Sequence, residues 1–175
     1  MPQEFFDVVD EDDKVVTSKP DIECVTRGLL HRAVEVFLFN AKSEIYLQRR
    51  SKSASWYPGY WSASCTGHVS AGESYLKAAE RELKEELGLD CNLTEIGKVV
   101  SPKWRYKERI EWEYIAVLEG NVNDQAITLS DESEEGHFIP FEDFKKSIEE
   151  EPDKFTPDTV LAFRCYSRAK IPVKK

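Results

Sequence analysis

Three glutamates, Glu82, Glu85 and Glu86, stand at i, i+3 and i+4 within the stretch Ser74 to Leu87. That stretch reads as a helix: Leu76, Ala79, Leu83 and Leu87 recur at i, i+3, i+7 and i+11, which predicts one buried stripe. Gly88 follows as the expected C-terminal stop. On a helix the three acids share one face about a turn long. Like charges at this spacing repel by roughly a few tenths of a kcal/mol per pair or more. They also lie in the C-terminal half, where the helix dipole disfavours negative charge. Stability alone does not favour such an arrangement. A hard divalent cation with a preference for oxygen ligands, Mg²⁺ or Mn²⁺, would relieve it. The plain alternative is a solvated acidic face on an acidic chain.

The acids belong to a longer pattern. Gly67, Glu73, Arg81, Glu82, Glu85, Glu86 and Gly88 fill the diagnostic positions of G-x5-E-x7-R-E-L-x-E-E-x-G-L. At average residue frequencies a chance match is on the order of one in a hundred thousand or rarer. The segment Gly67 to Leu89 resembles the Nudix box, the signature of the Nudix hydrolases. The resemblance implies a mixed β-sheet sandwiched between α-helices, with the box forming loop, helix and loop. It implies hydrolysis of a diphosphate bond in a nucleoside diphosphate derivative or a related organic diphosphate. In that family the positions of Glu82, Glu85 and Glu86 ligate the metal, helped by the backbone at Gly67. Glu73 and Arg81 brace the helix by ion pairing. A bound Mg²⁺ or Mn²⁺ would offset transition-state charge and acidify the attacking water. A carboxylate then takes the water's proton. Glu85 is the first choice for that base, with Glu82 beside it and Glu132, in the loop before Phe138, as the second.

Around the box, short elements alternate. Glu4 to Val9 and Val15 to Ser18 flank an acidic turn and read as a hairpin. Arg32 to Phe39, Glu44 to Arg49, Leu93 to Val100 and Ile110 to Leu118 read as strands. Phe141 to Glu149 and Pro157 to Ser167 read as closing helices. The mixture predicts an α/β or α+β sandwich. A length of 175 residues suits a single domain over 1–175, with a hairpin and lead-in at 1–29 and the core at 30–168. The aromatic loop Trp56 to Trp61 is either a structural plug or a wall of the substrate pocket, with Trp61 the candidate contact.

The flanks carry a second resemblance. Phe5 to Ser18, Leu30 to Arg50 and Trp56 to Trp61 are similar to the Nudix branch that contains type I isopentenyl-diphosphate isomerase, a likeness running roughly from Phe5 to Phe163. In that isomerase a histidine and glutamate cluster binds a metal, and a cysteine and a glutamate move protons on the substrate. His31, His68, Glu111 and Glu113 match the cluster. Its further histidine falls at Cys24, so the site is altered. The catalytic cysteine falls at Thr66, and Cys65 lies one place earlier, on the opposite face of an extended strand. An intact acid box beside a missing cysteine resembles the hydrolase-like members of this branch. An isomerase and a catalytically silent metal- or nucleotide-binding module are the other readings. His31 and His68 also read as histidines satisfied by local hydrogen bonds, and Glu111 and Glu113 as an exposed polar strand face.

Arg49 and Arg50 end a strand near the expected pocket, and arginine suits bidentate phosphate contacts. Lys103, Arg105, Lys107 and Arg109 alternate and form a weaker phosphate candidate. A formal net charge of −9 argues against a duplex nucleic-acid surface and leaves a small-molecule diphosphate as the expected partner. The chain has no apolar run long enough to span a membrane, and its first residues do not read as a secretory signal. Cys24, Cys65, Cys91 and Cys165 show no zinc spacing, so reduced thiols in a cytoplasmic protein are expected. No sequence signal specifies an oligomeric state.

Overall fold

The computed structural model describes residues 3–123 and 125–170, so the expected single domain over 1–175 reaches beyond the described residues at 1, 2, 124 and 171–175. An N-terminal hairpin pairs β1 (Phe5–Val9) with β2 (Val15–Pro20). A short helix α1 (Asp21–Arg27) leads to β3 (His31–Phe39) and β4 (Glu44–Arg50). Two short strands, β5 (Trp61–Ser62) and β6 (Cys65–His68), precede helix α2 (Tyr75–Leu87). Then come β7 (Leu93–Val100), β8 (Trp104–Tyr106), β9 (Arg109–Glu111), β10 (Glu113–Asn121) and β11 (Ser133–Pro140). Helices α3 (Phe141–Glu150) and α4 (Pro157–Lys170) close the chain.

Strand β3 is the organising element. It pairs in parallel with β10 and antiparallel with β6, which puts Glu113 opposite His31 and Thr66 opposite Glu35. Both of its faces are covered, which explains its nearly unbroken apolar run. Val34, Val36 and Leu38 pack with Ala78, Ala79, Leu83 and Leu87 of α2. Ala33 and Phe37, on the alternate face, pack with Phe144 of α3 and Ala162, Phe163 and Tyr166 of α4. The sheet is thus sandwiched between helices. Among the described residues no helix is long and apolar enough to cross a membrane.

Helix α2 starts where Ser74 accepts a hydrogen bond from the Lys77 amide at 3.3 Å, and ends at Gly88, whose φ of 67° favours glycine. Its stripe differs from the expected one. Leu76 is 43% exposed, while Tyr75, Ala78, Ala79, Leu83 and Leu87 are buried. At about 100° of rotation per residue, Tyr75 lies closer in angle to Ala79 than Leu76 does. The expected strand Ile110 to Leu118 is also corrected. Trp112 separates β9 from β10, and the two belong to different sheets. The Trp112 carbonyl accepts from the His31 amide at 3.1 Å, so the break is itself tied to β3.

Several elements fall outside the sequence-based expectation, α1 and β11 among them. α1 has seven residues, too few to be stable alone, and holds by burying Cys24 and Val25 against Phe6. β11 is a polar edge strand on β4, without apolar alternation.

Candidate active site

One cleft of about 300 Å³ opens over β3, β6 and α2. Glu82, Glu85, Glu132, Thr66, Gly67 and Arg50 line it, together with His68, Glu111 and Glu113. β6 reaches it at Thr66 and Gly67, whereas Cys65 packs into the core under α2. A methyl group at Gly67 would overlap the Glu82 carboxyl, so only glycine lets the acid approach the strand this closely.

Arg81 holds the acid face in register. It donates to Glu73 at 3.0 and 3.2 Å, to Glu82 at 2.7 Å, to Glu85 at 3.3 Å and to the His68 carbonyl at 3.0 Å. Glu73 in turn accepts from the Ser70 amide at 3.1 Å. The box loop is therefore clamped to α2 by one guanidinium. Glu86 sits beneath, buried, and accepts from Gln48 Nε2 at 2.6 Å and the Thr66 amide at 3.4 Å. Burial pushes its carboxyl up to about 8, against the Gln48 bond, and Glu82 and Glu132 add to the rise. Burial also raises Glu82, against Arg81.

This arrangement makes the apo protein sensitive to pH. A carboxyl raised from 4.5 to about 8 in the fold binds its proton more tightly there than in the unfolded chain. Its favourable share is full below 4.5 and declines as pH rises toward 8. We expect the melting temperature in chelator to fall across that window, and Glu86→Gln to flatten the fall. His68 acts higher, since its share is lost only as pH climbs toward about 10. Mg²⁺ or Mn²⁺ should restore the lost stability at the alkaline end. Calorimetric melts with and without the cation check this; a flat profile, with no cation effect even beside a substrate analogue, would reduce the acids to a solvated face.

The second group lies next to the first. Single ligand atoms of His31, His68, Glu111 and Glu113 all fall within 4.8 Å of one another. His31 Nδ1 donates to the Leu29 carbonyl at 2.8 Å, and its Nε2 lies 3.5 Å from Glu111 Oε2. Both atoms are buried and have no hydrogen-bond partner among the described residues. Two imidazoles and two carboxylates converging with unpartnered buried atoms fit a shared cation. His68 Nε2 lies 3.4 Å from Glu113 and 3.7 Å from Glu111. Burial disfavours its protonation, yet the two carboxylates outweigh it and lift the ring to about 10. Burial also opposes charge on Glu111, but His31, His68 and Arg109 hold it well below the ordinary range. Burial raises Glu113 against the pull of His68, and the Glu111 charge adds to the rise. Phe6 of β1 stacks on His68 and His31, at centroid distances of 4.7 and 5.3 Å, so the N-terminal hairpin packs this group from above.

Other sequence candidates separate. Glu111 and Glu113 do not share one strand face; they flank Trp112 on β9 and β10, and the sheet break brings their carboxylates together. Cys24 stands apart from the four converging ligand atoms. It is buried with Phe6 and Val25, and burial, then Glu23, Asp21 and Glu111, push its thiol up to about 11. Arg50 faces the cleft and donates to the Trp56 carbonyl at 2.7 Å. Arg49, its neighbour on the strand, turns away and donates to Glu135 at 3.2 Å and the Gly59 carbonyl at 3.1 Å. Trp61 is outside the cleft: it packs in the core under α4, edge-on to His137. Trp56 lines the cleft instead, braced by Tyr57 and Tyr106. Of the alternating basic residues, Arg109 lines the cleft and grips Glu111 at 2.6 and 2.9 Å. Glu35 and Asp158 also line the cleft and were not among the sequence candidates; the one signal was a lone acid inside an otherwise apolar strand.

The family model described as the NUDIX domain matches residues 29–159. A protein of Pseudomonas aeruginosa named as a Nudix hydrolase is 37% identical over 160 residues, covering 90% of each chain. A protein of Photorhabdus laumondii named isopentenyl-diphosphate Delta-isomerase 2 is 31% identical over 153 residues, covering 87% of this chain and 86% of its own. The crystal structure of DR0079 from Deinococcus radiodurans matches with a TM-score of 0.73 at 26% identity, covering 93% of this chain and 99% of that one.

Proposed function

Since the chain belongs to the Nudix family, we propose that it is a Mg²⁺- or Mn²⁺-dependent hydrolase that cleaves the diphosphate bond of a small-molecule nucleoside diphosphate derivative or related organic diphosphate. The observation that carries this reading is that Glu82, Glu85 and Glu132 face one cleft together with Arg50. Glu82, Glu85 and Glu86, with the backbone at Gly67, are the residues that would hold the cation. When bound, it would offset phosphate charge and make water a better nucleophile.

The chain's own groups supply the rest. Arg81 keeps Glu82 and Glu85 at fixed spacing. Arg50 balances the charge of the phosphoryl oxygens from across the cleft, where a guanidinium can make two parallel bonds. Glu85 takes the proton of the attacking water, with Glu132 as the alternative base. Trp56 walls the cleft against bulk water, which strengthens each of these interactions. Four unpaired cysteines suit a reducing cytoplasm.

A second reading, isomerisation of a prenyl diphosphate, is favoured by the convergence of His31, His68, Glu111 and Glu113. A panel of nucleoside diphosphate sugars, dinucleotide cofactors, nucleoside diphosphates and prenyl diphosphates, assayed with Mg²⁺ and Mn²⁺, separates the two. Phosphate analysis and product mass should show split phosphates and a mass gain of one water. An isobaric product alone would favour the isomerase, and no turnover of any member would leave a binding module.

A further inference from the structure

The tip of the box loop is held by the N-terminal hairpin. The Ala71 amide donates to the Phe5 carbonyl at 2.7 Å, and Phe6 and Ser70 form an antiparallel bridge, so β1 extends its pairing onto the loop. Asp7 completes the attachment. Its Oδ2 accepts from the Gly72 amide at 2.8 Å, and its Oδ1 accepts from Ser18 Oγ at 2.6 Å. Ser18 is its partner across the hairpin. Asp7 is 6% exposed, and among the described residues both of its hydrogen-bond donors are neutral. A buried carboxylate served by neutral donors alone costs more desolvation than an amide or hydroxyl in the same place. Strand pairing by itself does not call for one.

Gly72 is the soft point of the loop. Its φ of 78° lies in the left-handed region, no neighbouring atom crowds the place a Cβ would take, and glycine moves through that region freely. The bond to Asp7 removes that freedom. Glu73 follows at once, and Arg81 donates to it at 3.0 and 3.2 Å. The same guanidinium donates to Glu82 at 2.7 Å and to Glu85 at 3.3 Å. A continuous series of bonds thus runs from the hairpin to the acid face of α2. We propose that Asp7 is a positioning residue for the cation site: it fixes Gly72, thereby sets Glu73 against Arg81, and through Arg81 sets the spacing of Glu82 and Glu85. The N-terminal hairpin is then part of the working site. The proposal rests on the diphosphatase reading above for the cation at the box, and extends its machinery to residues outside the box. The hairpin is also anchored at Asp13, where Arg32, Tyr75 and Lys98 donate at 2.6, 2.9 and 3.1 Å. Those bonds do not run through Gly72 or Glu73, so they staple the hairpin without aiming the loop.

The test measures Mn²⁺ binding by calorimetry, without substrate, to the parent protein, Asp7→Ala, Asp7→Asn, Ser18→Ala and Tyr75→Phe. Glu82→Gln identifies the box site as the one it weakens. Asp7→Ala should weaken that site about tenfold, the usual cost of losing a group that orients a ligand. Asp7→Asn should stay within about threefold of the parent, since its amide can accept from Gly72 and donate to Ser18. Tyr75→Phe, which loosens the hairpin at Asp13, should melt lower yet bind Mn²⁺ within about twofold of the parent. Melting curves confirm that the variants fold. If Asp7→Ala does not, Ser18→Ala, which removes one of the two bonds, should show about a threefold loss in its place. Parent-like affinity in Asp7→Ala, equal losses in Asp7→Ala and Tyr75→Phe, or no rescue by Asp7→Asn would overturn the proposal and leave the diphosphatase reading standing. Mn²⁺ binding indifferent to Glu82→Gln would overturn both.

Discussion

Glu85→Gln and Glu86→Gln are each expected to turn over the true diphosphate substrate at least about 100-fold more slowly than the parent, because each loses a charge that would stabilise the transition state. Glutamine keeps the shape of glutamate and removes its negative charge, turning one acceptor oxygen into a donor, which at Glu86 the unpaired Gln48 Oε1 can accept. At Glu85 the loss is unconfounded by packing, since the side chain lies in the cleft and touches Arg81 at 3.3 Å. Glu86 is the sharper case. Its carboxyl is buried, pushed up to about 8, and bonded by Gln48 and the Thr66 amide. A neutral side chain is therefore close to the state the apo fold already prefers at neutral pH. Glu86→Gln should melt no lower than the parent in chelator, yet fail in turnover. Loss of activity with retained stability isolates the cation-binding role. Steady-state kinetics in Mg²⁺ and Mn²⁺ measure it, and near-normal kcat in both variants would remove these acids from the mechanism.

Isopentenyl diphosphate, incubated with the protein and Mg²⁺ in deuterated water, is expected to acquire no deuterium and yield no dimethylallyl product. Isomerisation needs an acid and a base on opposite sides of a carbon–carbon double bond. The isomerase resemblance assigns one role to the position of Thr66, and Thr66 does line the cleft. Its hydroxyl has no useful acidity near neutral pH. Cys65 does not replace it. The thiol packs against α2, on the other face of β6, and burial raises it well above its ordinary range. Glu113 supplies half of the pair. The cleft also carries Glu35 and Asp158, which suit a prenyl tail poorly. Thr66→Cys is the variant expected to gain a trace of exchange. Mass spectrometry of the recovered diphosphate reads both proteins, and efficient exchange by the parent would make Cys65 the next residue to replace.

Much of the site was legible in local sequence. The spacing of Glu82, Glu85 and Glu86 needs only the helical period to place three acids together, and Ser74 and Gly88 bound that helix by capping chemistry. Leu76 shows the limit even there. Four apolar residues at plausible spacing suggested a stripe, but whether Leu76 or Tyr75 is buried depends on how the helix is rotated against β3. The strand alternation that separated Thr66 from Cys65 is equally local, because successive side chains on an extended chain face opposite ways.

The sequence by itself determined the acid face of α2 and the opposite facing of Cys65 and Thr66, since each depends on backbone periodicity over a few residues, whereas the approach of Glu82 to Gly67 waited on the docking of α2 against β6. Only the tertiary structure decided that Arg50 faces the cleft and Arg49 does not, and that Trp56 lines it in place of Trp61. It also set the break at Trp112 that brings Glu111 and Glu113 together from two sheets. The contact between Glu35 and Thr159 spans 124 positions in the chain. Pairings of that kind follow from strand register and from the docking of α4 onto the sheet. Neither is a property of any short stretch of residues, because it is the burial of both faces of β3 at once that selects them.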